Sequence, residues 1–169
     1  MGEIQLVVLK KENMEHIKAP NLVNYDNATI FLAGSIEMGV AEQWQERVVK
    51  MFEGTGWTIL NPRRDDWDNS WKQSLEDERF VEQVNWELRG LENCEYAIVY
   101  FSPETKAPIT LLELGLLSQN DTAKVIVVCP EGFYRKGNVD VVCRRYDILQ
   151  AKTLEQAVEI IKASNNVSL

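Results

Sequence analysis

The sequence predicts an α/β fold: a doubly wound, mostly parallel five-stranded sheet with helices on both faces. Three observations predict it. Short apolar runs alternate with helical stretches along most of the chain. The runs are apolar at consecutive positions, as expected of strands covered on both faces. Each run ends in turn-forming or small residues, where such a strand hands over to a loop.

The elements follow in order. IQLVVL (4–9) is rich in strand formers, but a polar segment with Pro20 and several asparagines follows it. Residues 1–27 therefore read as an N-terminal arm with an edge strand. TIFLAG (29–34) is the first central strand and leads to a helix over 40–53. WTILNP (57–62) is the next strand. The helix over 76–93 carries the stripe Phe80, Val84, Leu88 and Leu91 at helical spacing. YAIVYF (96–101), a helix over 107–119, and KVIVVCP (124–130) continue the alternation. A last helix, 153–164, has Thr153 as its N-cap, with Ala157, Ile160 and Ile161 on one face.

No repeat or linker divides the chain, so 1–169 reads as one domain, a Rossmann/flavodoxin-like three-layer sandwich. In such folds ligands gather at the C-terminal ends of the strands. The loops at 33–39, 61–68, 100–108 and 129–138 should therefore converge on one mouth.

Composition narrows the function. A formal charge of −8 argues against a nucleic acid polymer as partner, since phosphate neutralisation needs clustered Lys and Arg. A nucleotide-sized ligand needs only a few donors and remains open. The three cysteines are widely spaced with no CxxC pair, which speaks for reduced thiols and against a zinc site. No signal peptide opens the chain and no apolar run reaches the length of a membrane span. The expectation is a cytoplasmic protein with no membrane partner.

One acid stands out. Leu111, Leu112, Leu114, Leu116 and Leu117 cover almost the whole circumference of the 107–119 helix, and Glu113 lies among them. No cation lies between Lys106 and Lys124 to pair with it locally. Such a carboxylate is paired across the fold, protonated, or held for chemistry. Glu87 is a second such acid, three residues after Val84 and four before Leu91, at the border of the apolar stripe. It is either a boundary residue pairing with Arg89 or another cation, or the partner of Glu113.

Other positions are read in the same way. Gly34 and Gly39 flank a turn holding Ser35, which is a tight structural turn or a loop whose N–H groups meet a ligand. NPRRDDWD (61–68) is a solvated, internally paired loop, or a pocket wall in which Trp67 meets a base and an Asp reads it. Two arginines there can instead serve an anionic substrate. The only histidine is His16, in the N-terminal arm, so Ser-His and Cys-His catalysis and His-rich metal sites lack material. Paired acids, by contrast, carry out substitution at an anomeric carbon.

Four blocks in order, IFLAGSIEMGVAEQWQ, ILNPRRDDWD, QVNWEL and APITLLELGL, resemble the nucleoside 2-deoxyribosyltransferase-like family, over roughly residues 28–150. The resemblance implies cleavage of the N-glycosidic bond of a 2′-deoxynucleoside and transfer of the sugar to another base. It implies Glu113 as nucleophile, in the family's E-x-G segment, through a covalent deoxyribosyl-enzyme. Glu87 matches the acid that positions the sugar or assists proton transfer. Gly34, Ser35 and Ile36 match the sugar-site loop, and Asp66 or Asp68 the acid that reads the base. Asn138 matches a residue lent by a neighbouring subunit in a homo-oligomer with shared active sites.

The partners implied are a nucleoside or nucleotide and a free base, with no cofactor. Transferases of the better-known branch carry an aromatic residue near the first loop and a C-terminal tyrosine carboxylate; this chain has Phe31 and Ile36 around that loop and ends Val-Ser-Leu. Related members hydrolyse 2′-deoxynucleoside 5′-monophosphates, which keeps an N-glycosidase as the alternative. A nucleotide-binding sensor without turnover is the further one.

Overall fold

The computed structural model describes residues 13–36 and 42–165. Six strands form one parallel sheet: β1 (Glu15–Lys18), β2 (Thr29–Gly34), β3 (Thr58–Asn61), β4 (Tyr96–Tyr100), β5 (Lys124–Val128) and β6 (Leu149–Ala151). Five helices connect or follow them: α1 (Trp44–Met51), α2 (Glu78–Asn93), α3 (Pro108–Leu117), α4 (Lys136–Arg145) and α5 (Leu154–Asn165). The spatial order is β1-β3-β2-β4-β5-β6. Apart from β1, this is the flavodoxin-type order, with its topological switch point between β2 and β4.

The consecutive apolar strand residues divide between two cores, as a sheet covered on both faces requires. Phe31, Ala33, Leu60, Ala97, Val99 and Val127 pack on one side with Trp86 of α2, Leu114 and Leu117 of α3 and Val139 of α4. Ile30, Leu32, Ile59, Ile98, Ile126 and Val128 pack on the other with Trp44, Val48 and Val49 of α1 and Ala157, Val158 and Ile161 of α5. The expected three-layer architecture is therefore present.

Two strands and one helix differ from the sequence reading. The run IQLVVL lies outside the described residues, and the edge is formed by the polar tetrapeptide Glu15–Lys18, paired parallel to β3. An edge strand is half-covered, so its sequence need not be apolar. β6 is three residues long and Leu149 is half-exposed, too little for a pattern to register. Thus the sheet has six strands among the described residues, not five. The segment expected as a loop after β5 winds into α4, whose buried residues are only Val139 and Cys143; a stripe this narrow, behind Arg-Lys-Gly-Asn, reads as a turn.

Among the described residues, no helix is long and apolar enough to cross a membrane.

Candidate active site

The strand exits at the switch point are joined by side chains. Ser35 follows β2 and is buried; its N–H donates to the Tyr100 carbonyl at 3.2 Å. The Ser102 N–H donates to Ser35 Oγ at 3.2 Å, and Thr105 Oγ1 donates to the Ser102 carbonyl at 3.0 Å. The one remaining hydrogen in this set makes Ser35 the donor in its 2.6 Å bond to Thr105 Oγ1. This closed circuit ties the β2 exit to the loop preceding α3. The Ser35 hydroxyl, expected to line the sugar site, gives its hydrogen to Thr105 and accepts one bond, from Ser102.

Gly34 has a packing reason. A Cβ there would lie 2.6 Å from Trp44 Cζ2 and 2.7 Å from the Tyr100 carbonyl oxygen. The Trp44 indole N–H donates in turn to the Ser35 carbonyl at 3.1 Å, so the first turn of α1 is pinned to the same exit. Ile36 is half-buried beyond it. Gly39 lies outside the described residues.

The loop after Thr105 enters α3 through Ala107, held in the left-handed region at φ 43°, an uncommon conformation for a residue with a Cβ. Pro108 then starts the helix, where its missing N–H costs nothing. This entry directs Thr110, Glu113, Leu114 and Leu117 inward. Ile109, Leu112 and Leu116 face outward, at 59%, 60% and 46% exposure. The helix is apolar all round, yet among the described residues only one face is covered.

Glu113 keeps 7% of its surface. Among the described residues it has no ion pair or hydrogen bond. Burial, reinforced by the charge of Glu87, pushes its carboxyl up to about 8. Glu87 on α2 is half-buried, and burial raises its pKa too. Among the described residues it pairs with no cation, Arg89 included; it accepts a 2.8 Å hydrogen bond from Gln83 Nε2.

Gln83 is a residue the sequence reading missed. Its Nε2 also donates to the Pro62 carbonyl at 2.8 Å, linking Glu87 to the loop after β3. Its Oε1 is buried without a partner. The signal was present: Gln83 stands four residues before Glu87 on one helix face.

The 61–68 loop divides in its roles. Arg64 grips Asp66 with Nε at 2.8 Å and Nη2 at 3.0 Å, reaches Glu82 at 3.2 Å, and stacks 4.9 Å from the Trp71 ring centre. Asp66 is thus engaged at the surface, and the Arg64 hydrogen bond holds its carboxyl below the usual range. Asp68 caps the Ser70 N–H at 2.8 Å, and that backbone bond lowers its pKa as well. Trp67 packs on Trp71 with ring centres 5.0 Å apart and leaves 38% of its surface open. Asn138 is exposed in the first turn of α4.

The structure therefore brings Glu87 near enough to Glu113 for its charge to act there, and bonds Gln83 to Glu87. It engages Asp66 and Asp68 in local bonds and leaves Trp67 and Asn138 open at the surface. Two carboxyls with raised pKa values and, among the described residues, no paired cation can attack an electrophilic carbon and deliver or accept a proton. Among the described residues, no group of three or more His, Cys, Asp or Glu side chains is placed to hold a metal ion.

No match to a curated protein was found. Residues 27–133, well over half of the chain, match the family described as nucleoside 2-deoxyribosyltransferase like, and the chain belongs to that family.

Proposed function

We propose that this protein cleaves the N-glycosidic bond of 2′-deoxynucleosides and transfers the sugar to another base. The observation that carries the reading is Glu113: a buried carboxyl with no cation paired to it among the described residues, within reach of the charge of a second raised carboxyl. A binding module has no use for so costly a group.

In the proposed reaction the Glu113 carboxylate attacks C1′ and forms an ester as the C1′–N bond breaks. The bonding pair leaves with the base, which takes a proton from Glu87. A second base then attacks C1′, its proton passes to Glu87, and Glu113 is released. Water in place of the base gives hydrolysis, the N-glycosidase alternative for 2′-deoxynucleoside 5′-monophosphates. Asp66 and Asp68 are poorer proton donors than Glu87, because their hydrogen bonds hold them ionised. The open face of Trp67 suits stacking against a base, and Gly34, Ser35 and Ile36 form the wall of the sugar site. No cofactor is required.

The uncovered stripe Ile109, Leu112 and Leu116, on the helix that carries Glu113, supports a homo-oligomer in which a neighbour's Asn138 completes the site.

The test is incubation with several deoxynucleosides, with and without a free acceptor base, and product identification by mass. Base exchange that vanishes in Glu113→Gln supports transfer, and release without exchange supports hydrolysis. Ligand-induced thermal stabilisation with no product would favour a sensor. Full activity in Glu113→Gln removes the nucleophile.

A further inference from the structure

The edge strand β1 lies before residue 27, outside the family match, yet it and the residue after it hold the end of β3 and reach the loop that follows. The Ala19 N–H donates to the Asn61 carbonyl at 3.1 Å. Lys18 Nζ reaches Asp65 at 2.9 Å and Glu46 of α1 at 3.3 Å. His16 Nε2 meets Asn61 Nδ2 at 3.1 Å.

The polarity of that last contact is fixed by its far side. The Arg63 N–H donates to Asn61 Oδ1 at 3.0 Å. With Oδ1 facing Arg63, the amide turns Nδ2, a donor, toward the imidazole. His16 Nε2 must then accept, so the ring is neutral and carries its proton on Nδ1. Asn61 is fully buried, and water offers it no substitute. A protonated imidazole would set donor against donor. The amide can relieve this only by turning over, which forfeits the bond to Arg63.

We propose that β1 is a positioning element for the loop at 62–68, and that His16 is its acid-sensitive latch: the neutral ring orients Asn61, and Asn61 fixes the backbone of Arg63. The charged groups facing the ring are Glu46 from α1, Lys18 from β1 and Asp65 from the loop. Burial has the largest effect and lowers the pKa of His16, as does Lys18; Glu46 and Asp65 oppose it. This keeps the latch closed at neutral pH. The consequence for turnover rests on the function proposed above, because that loop borders Gln83 and carries Trp67.

The single imidazole makes the test direct by NMR on the full chain. Near pH 7 the ring is expected to be neutral with the Nδ1–H tautomer, and Asn61→Asp, which puts a carboxylate against Nε2, should raise its titration by about one unit or more. On acidification the Arg63 amide signal should shift in the wild type but hold steady in His16→Gln, whose carbonyl accepts from Asn61 without titrating.

In turnover of deoxynucleosides, His16→Leu should raise KM about fivefold, the loss of one hydrogen bond. His16→Gln should restore KM and remove its rise in acid. An Nε2–H tautomer, an Arg63 amide with the same acid response in His16→Gln as in the wild type, or equal KM in the Leu and Gln variants would overturn the latch. Absence of turnover in every protein counts against the proposed function alone, since the NMR signals read the latch without substrate.

Discussion

Glu87 lies close enough to Glu113 for its charge to add to burial in holding the Glu113 proton, and among the described residues no cation pairs with either. Burial raises both carboxyls, and Glu113 keeps its proton up to about 8.

This pair makes stability depend on pH in a definite direction. A glutamate in the unfolded chain titrates near 4.5, whereas Glu113 in the fold holds its proton to about 8. Between those values the folded state binds the extra proton, so stability falls as pH rises through the window. Glu113→Gln removes the titration. The variant's melting temperature should match the wild type's near pH 4.5, exceed it increasingly toward pH 8, and keep a constant lead beyond. The gain is on the order of 2–4 kcal/mol at the alkaline end. Parallel melting curves across pH 5–9 would contradict the assignment.

The same pair shapes the rate. The proposed chemistry needs one proton on the two acids, with the charge on Glu113 and the proton on Glu87 as the base departs. Loss of that proton should lower kcat/KM above about pH 8. Replacing Glu87 by Gln removes the repulsion, so the Glu113 pKa should fall, while turnover slows by about 10²-fold or more. A steady-state pH profile checks both, and an alkaline limb that Glu87→Gln leaves unmoved would count against the pairing.

Gln83 offers a separation of activity from stability. Its amide gives both hydrogens away, to Glu87 and to the Pro62 carbonyl, while its Oε1 is buried and unpartnered. Gln83→Leu loses two bonds but also removes that stranded acceptor. Stability should therefore change by less than about 1 kcal/mol. Turnover should fall roughly tenfold, because Glu87 loses the donor that holds its position and lowers its pKa. Chemical denaturation and steady-state kinetics on one preparation test the split.

Much of this site is legible in the sequence because burial there is one-dimensional. Glu113 sits among leucines on every side of a helix, so its placement inside follows from the helix alone. Glu87 at the edge of its stripe is similar but less decided, and Gln83 settles its surroundings through a contact that helical spacing allows without requiring. The Ser35–Ser102–Thr105 circuit is illegible beforehand, since residues about seventy apart meet only when β2 and β4 pair. His16 reads as a residue of the arm because a polar tetrapeptide gives no strand signal; its neighbour β3 makes the strand. In the sequence Gly34 reads as a turn or a ligand loop, whereas in the fold Trp44 and the Tyr100 carbonyl occupy its open side.

That last difference can be measured. In Gly34→Ala the new methyl would meet Trp44 Cζ2 at 2.6 Å and the Tyr100 oxygen at 2.7 Å. The indole can move, but the carbonyl belongs to β4, which is paired on both sides, so the β2 exit must yield. Overpacking of this kind costs roughly 1–3 kcal/mol. Displacing the exit also stretches the Ser35–Thr105 bond, which ties β2 to the approach to α3 and hence to Glu113. Gly34→Ala should therefore lower both the melting temperature and kcat. Ser35→Ala, which breaks the circuit without crowding, should lower kcat with a smaller thermal loss. Equal thermal losses in the two variants would mean that the circuit, and not the space at Gly34, holds the mouth together.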